Sequence, residues 1–147
     1  TEVPMHLKHT DPIERIEEAV EMRAQYSGDY VWCNRVKMFM DGVIDSRTAY
    51  MHQPYPGTDS CSAPLFTDEQ FKEVCMRADA EALQISVHAI GDAATSQTLD
   101  GYEAAQKANG VRDSRHRIEH LEFMAPTDIK RLAQLGVQKA RWLLMPI

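Results

Sequence analysis

The chain has 147 residues, 44% of them hydrophobic and 26% charged, with a formal net charge of -6. This is the composition of an ordinary globular domain, and an acidic balance with no local Lys/Arg cluster excludes a nucleic-acid surface. No apolar run approaches the roughly 18–20 residues of a membrane span, and no basic-then-apolar leader opens the sequence, so a cytoplasmic protein is expected.

The first periodic segment is TDPIERIEEAVEMRAQYSG. Asp11 is placed to be its N-cap, Pro12 its first helical residue and Glu14 the partner of a capping box. Ile13, Ile16, Val20 and Ala24 fall on one face, and Gly28 ends the run. RVKMFMDG then alternates as a strand does, with Val36, Met38 and Met40 on one side and Lys37, Phe39 and Asp41 on the other. Residues 42–66 are rich in Pro, Gly, Ser and Tyr, and loops of that length inside a compact domain are functional or disordered. TDEQFKEVCMRADAEAL reads as a helix with Thr67 and Gln70 at capping-box spacing. Phe71, Val74, Cys75, Ala78 and Ala82 form its buried stripe. QISVHAIG reads as a strand and DAATSQTLDGYEAAQKANG as a helix, with Asp92 as cap and Asn109-Gly110 as stop. RHRIEHLEF is a short strand, PTDIKRLAQLG a helix ended by Gly136, and the tail from Val137 begins one more strand.

Strands alternating with helices imply right-handed crossovers and a parallel sheet, within one domain over residues 1–147. Chemistry is then expected on the loops and strand ends at the carboxyl edge. Cys33, Cys61 and Cys75 are odd in number and widely spaced, which fits reduced thiols better than a disulfide framework or a Cys-x-x-Cys metal site.

Three of the strands carry one residue each that can hold a metal or act as a nucleophile: Lys37, His88 and His120. Alternation puts Ser86, His88 and Ile90 on one face, and His116, Ile118 and His120 on one face of the next strand. The helix-facing layer must be apolar, which suits Ile85, Val87 and Ala89 and turns His88 away from the helices. Two imidazoles from adjacent parallel strands can meet one divalent ion at about 2.0–2.1 Å per nitrogen. Each residue also has a plainer reading. A lone strand histidine is commonly a hydrogen-bonded core residue, Lys37 can reach for solvent, and Asp92 can be only a helix cap. His6, His9 and His52 read as surface residues, and the eight methionines as core filler.

Taken together, VKMFMDGVIDSRTAYMHQPY, SVHAIGDAATSQTLDGYE and DSRHRIEHLEFMAPTDIKRLAQLGV resemble consecutive blocks of the amidohydrolase superfamily, in its amidohydrolase-3, YtcJ-like branch of metal-dependent hydrolases. The resemblance runs from about Arg35 to Val137. It implies an α/β fold, part of a (β/α)8 barrel amounting to about half of one, with these three motifs as barrel strands 4 to 6. It implies Lys37, His88 and His120 as ligands of a divalent metal such as zinc, Lys37 at a position that can be carbamylated and bridge two ions. Asp92, following a ligand strand, is a candidate to orient that ligand. Arg47 and Tyr50 are candidate contacts to a small amide-type substrate.

The chain departs from the family pattern in having no His-x-His pair, HLKH being wrongly spaced, and no strand that could supply the aspartate handling the proton of water. A complete barrel needs roughly 250 residues. The expectation is therefore a fragment of an enzyme hydrolysing C–N bonds, inactive alone. The alternative is a non-catalytic module that forms homo-oligomers through its exposed sheet edges.

Overall fold

The computed structural model describes residues 1–139. Five parallel strands stand in one sheet in chain order: β1 (Met5–His6), β2 (Arg35–Phe39), β3 (Gln84–Ala89), β4 (Arg117–His120) and β5 (Gln138–Lys139). Between them lie α1 (Ile16–Gln25), α2 (Asp68–Ala80), α3 (Asp92–Asn109) and α4 (Ile129–Gln134). Parallel neighbours cannot be joined by a hairpin, so every connection is a crossover, and each one here carries a helix. Strands in unbroken order with a helix between each and the next are the α/β arrangement of a barrel, present in part. Among the described residues no helix is long and apolar enough to cross a membrane.

The core lies between the sheet and the helices. Val36, Met38, Ile85, Val87, Ala89 and Ile118 are fully buried on one sheet face, under Phe71, Cys75 and Ala78 of α2 and Leu99, Tyr102 and Ala105 of α3. The two helices approach closely at Gly101, where an added Cβ would stand 2.4 Å from the Phe71 ring. The expected capping box of α2 is present, with Thr67 accepting from the Gln70 N–H and the Gln70 side chain returning the bond.

Several expectations need correction. β1 is not legible in the sequence, because two residues show no period; pairing with β2 alone makes them a strand. α1 begins as a 3-10 turn at Ile13–Arg15 whose N-cap is Pro12, without a side-chain cap. Asp11 instead accepts the Lys8 N–H and pairs with Arg15, and the helix stops at Gln25, leaving Ala24 exposed. α2 ends at Ala80, so Ala82 leaves the stripe and Leu83 fills the core. The N-cap of α3 is Gly91, not Asp92. Strand β4 is confined to Arg117–His120, shorter than the segment expected. Of the expected final strand, β5 takes Gln138–Lys139, and residues 140–147 lie outside the described residues.

At the amino edge of the sheet the helices are tied down by one carboxylate. Asp79, buried at the end of α2, accepts from His116 Nε2 at 3.1 Å, Asn109 Nδ2 at 3.0 Å and Arg112 Nε at 2.7 Å. Burial alone would raise its pKa; the hydrogen bonds from His116 and Asn109 and the charge of Arg112 outweigh this and leave it at about 2. The Ile85 N–H donates to His116 Nδ1 at 3.1 Å, which leaves Nε2 as the nitrogen that donates to Asp79.

Candidate metal centre

The opposite face of the sheet carries polar side chains at the carboxyl edge, and register decides which ones meet. Lys37 is level with Ser86, and Phe39 with His88, which is level with Glu119. Residues in register on parallel strands point the same way, so Lys37, Phe39, Ser86, His88 and Glu119 share one face. Ile118 is buried among Val87 and the helices, and His116 turns towards Tyr102 with ring centroids 5.0 Å apart.

His120 does not follow the alternation. The expectation that it shares a face with His116 and Ile118 fails because its φ is 72°, followed by 51° at Leu121. This left-handed turn swings the ring across to β3, where it meets His88 edge-on with centroids 4.5 Å apart. The two histidines proposed as ligands are thus neighbours, brought together by a backbone turn, not by strand pleating. The Leu121 N–H on the Ala89 carbonyl at 3.1 Å fixes the turn against β3.

His88 is nearly buried, and its Nε2 lies 2.8 Å from the Gly42 carbonyl. A carbonyl only accepts, so Nε2 is the donor and Nδ1 is the ring nitrogen left to hold an ion. His120 has its pKa lowered from 6.5, first by burial and then by the neighbouring His88, which favours its neutral form at pH 7. Two imidazoles side by side are donors of the type that suits a borderline ion such as zinc. Among the described residues no group of three or more His, Cys, Asp or Glu is arranged to hold a metal, so the fit is that of part of a ligand set.

Lys37 does not reach for solvent. It is buried, and its Nζ donates to Glu119, whose other oxygen accepts from Ser86 Oγ at 2.6 Å. Burial pushes the lysine amine down against the opposing pull of Glu119. The Glu119 carboxyl lies below its usual range: burial raises it, but the bonds from Lys37 and Ser86 prevail.

Asp41 organises the loops around His88. Its carboxylate accepts the N–H groups of Tyr50 at 2.9 Å, Ile90 at 3.1 Å and Gly91 at 2.8 Å, and lies 3.7 Å from His88 Nε2. Burial holds its carboxyl above the ordinary value despite those three donors. Gly91 is required by the same crossing, since a Cβ there would meet the Tyr50 carbonyl oxygen at 1.9 Å. Asp92 holds a different point of the loop, accepting the His52 N–H at 2.8 Å. Tyr50 lines a pocket of about 290 Å³ with His52, Pro64 and residues of α2 and α3, apart from the histidine pair. Arg47 is exposed on the loop after β2.

Glu119 and Asp41 escape the sequence reading as functional residues. Alternation alone places Asp41 beside Lys37 without a role. Glu119 would be found only by knowing the β3–β4 register, which the sequence does not give.

The amidohydrolase family model Amidohydro_3 matches residues 1–145. The chain belongs to the amidohydrolase family. It is 29% identical over 132 residues to the putative amidohydrolase YtcJ of Bacillus subtilis, covering 89% of this chain and 24% of that protein. It is 36% identical over 110 residues to the protein LONG AFTER FAR-RED 3 of Arabidopsis thaliana, covering 74% of this chain and 19% of the relative. Among solved structures, an uncharacterized metal-dependent hydrolase from Pyrococcus furiosus superposes with a TM-score of 0.69 at 29% identity, over 86% of this chain and 26% of that one. One from Pyrococcus horikoshii gives 0.67 at 25% identity, over 84% of this chain and 25% of that one. The chain therefore spans about a quarter or less of the length of these amidohydrolase relatives.

Proposed function

We propose that this chain is a single partial-barrel domain from the middle of a metal-dependent hydrolase that cleaves C–N bonds of amide, formamide or cyclic amide type. His88 and His120 are two ligands of a zinc-like ion, and Lys37 is a third donor once it leaves Glu119, as a carbamate if it takes up CO₂. The observation that carries this reading is the edge-on pair of histidine rings at the carboxyl edge of adjacent parallel strands. A divalent ion held there would polarise the scissile carbonyl and bring the pKa of a water to about 7.

The residues of this chain have separable tasks. The Gly42 carbonyl keeps the proton on His88 Nε2, so the ring presents Nδ1. Asp41 fixes the loops that carry that carbonyl. Glu119 holds Lys37 on the shared face. Asp92 steadies the loop at His52, and Arg47 and Tyr50 on that loop contact substrate. Without a His-x-His pair the isolated chain binds metal weakly and turns amides over slowly or not at all. Three unpaired thiols, two of them buried, support a cytoplasmic location.

Titration of the purified chain with zinc tests the centre. His88→Asn and His120→Asn are each expected to weaken binding at least tenfold, since even losing a group that only orients a ligand costs about 10–100-fold. Unchanged isotherms in both variants, with His9→Asn as the comparison, would sink the assignment.

A second reading, pairing of two copies through the open sheet face, is favoured by the half-exposed ring of Phe39 on that face. Sedimentation equilibrium decides it: a dimer is expected, and a monomer at high concentration removes it.

A further inference from the structure

Above the carboxyl ends of β1 and β2 lies a second pocket of about 240 Å³, lined by His6, Leu7, Lys8, His9, Phe39 and Leu65. Its walls of hydrocarbon come from Leu7, Phe39 and Leu65, and no acidic side chain lines it. Phe39 is 42% exposed and Leu65 43%; Phe39 is level with His88 on β3, and Leu65 is bonded through its N–H to the Met40 carbonyl just beyond β2. The Phe39 ring lies 5.1 Å from the His88 ring and 6.2 Å from the His6 ring, centroid to centroid. One aromatic side chain is therefore a wall of this pocket and a neighbour of the candidate metal centre.

We propose that this pocket is a specificity subsite for the apolar side group, aryl or branched aliphatic, of the amide cleaved beside His88 and His120. The assignment rests on the reading of that pair as the reacting centre. Size permits it: an apolar cavity of about 150 Å³ already accommodates benzene, so this pocket has room for a ring and the atom joining it to the amide. Chemistry favours it as well. Phe39 is in register with His88 and stands on a face whose other members, Lys37, Ser86, His88 and Glu119, are polar. An apolar group laid on Phe39 and Leu65 removes carbon surface from water on both partners, which is the dominant favourable term in such binding. A side group bearing an ammonium would meet Lys8 and find no carboxylate to pair with.

The Phe39 ring also sets direction. With the side group against its outer face, the polar end of the amide is left towards the histidine side of the same ring. Selection for an apolar group thereby becomes selection for one orientation of the substrate.

The test uses the metal-free chain, titrated with benzamide and with acetamide while amide chemical shifts are followed. Benzamide is expected to bind at least about tenfold more tightly, because a buried methylene-sized unit contributes on the order of 0.8 kcal/mol and the ring adds several. Phe39→Ala and Leu65→Ala are each expected to lower benzamide affinity at least about threefold and to leave acetamide unchanged, the lost carbon surface being the cause. Both side chains are half-exposed, so neither truncation opens the core. Val111→Ala, at an 84% exposed apolar residue elsewhere, should change nothing. Equal binding of the two amides, or benzamide binding indifferent to Phe39→Ala, overturns the proposal. Zinc titration of the same sample keeps the two readings apart. Zinc that depends on His88 and His120 without any benzamide preference removes the pocket and leaves the centre standing. A benzamide preference that needs Phe39, without zinc binding, does the reverse.

Discussion

Asp79→Ala is expected to lower folding stability by about 3–5 kcal/mol, the range for breaking a buried charged pair by removing one partner. The reason is the number of groups that one carboxylate serves. Its loss strips a partner from buried His116 and from Asn109 and Arg112, and so loosens the ends of α2 and α3 from the start of β4. Asp79→Asn keeps an acceptor oxygen and is expected to cost less, about 1–2 kcal/mol. Urea unfolding midpoints distinguish these outcomes; a loss below 1 kcal/mol for the alanine variant would show that the network is not holding the base together.

The same residue sets an acid limit. Its carboxyl titrates at about 2 in the folded chain against an ordinary 3.8. The depressed value means that the folded state favours the ionised form. The associated stability, roughly 2 kcal/mol, is complete above pH 3.8 and disappears as pH falls towards 2. In Asp79→Asn that part of the acid-induced loss should be missing.

Asp41→Ala is the second large effect, and it falls on the site as well as the fold. Three backbone N–H groups, of Tyr50, Ile90 and Gly91, lose their acceptor. Each buried donor left unsatisfied costs about 1–3 kcal/mol, so a total of at least about 3 kcal/mol is expected. The loop bearing the Gly42 carbonyl then loses its anchor, and with it the bond that keeps the proton on His88 Nε2. Zinc affinity should fall by about 10–100-fold even though no ligand has been altered. Ring nitrogen shifts of His88 provide the specific readout: a mixture of tautomers in the variant, one tautomer in the unchanged chain. A single tautomer in both would show that Asp41 serves the loops alone.

How much of this could be read beforehand varied with the physics involved. α2 and α3 are legible because capping and a 3.6-residue apolar period are local properties, as Thr67, Gln70, Phe71 and Val74 illustrate. The parallel sheet follows from alternation alone, and Lys37, His88 and His120 from the motif resemblance. Contacts that depend on register or on an unusual backbone angle are not local. Glu119 reaches Lys37 only because β3 and β4 pair as they do. His120 reaches His88 only through a positive φ, which a non-glycine residue rarely adopts and no pattern of apolar residues announces. Asp11 and Asp92 fail as N-caps for a related reason: Asp11 accepts from Lys8 and Arg15, and Asp92, already the first residue of α3, accepts from His52 and from the adjoining Ala93 N–H.

The left-handed turn at His120 and Leu121 has a consequence for how a cation would be received. The backbone that carries the imidazole is clamped to the adjacent strand, which leaves only the ring's own side-chain rotations to be fixed. Its arrival at His88 is settled when the chain folds, so little entropy remains to be surrendered on coordination. Relaxing that turn would be expected to slow or weaken capture without touching either imidazole.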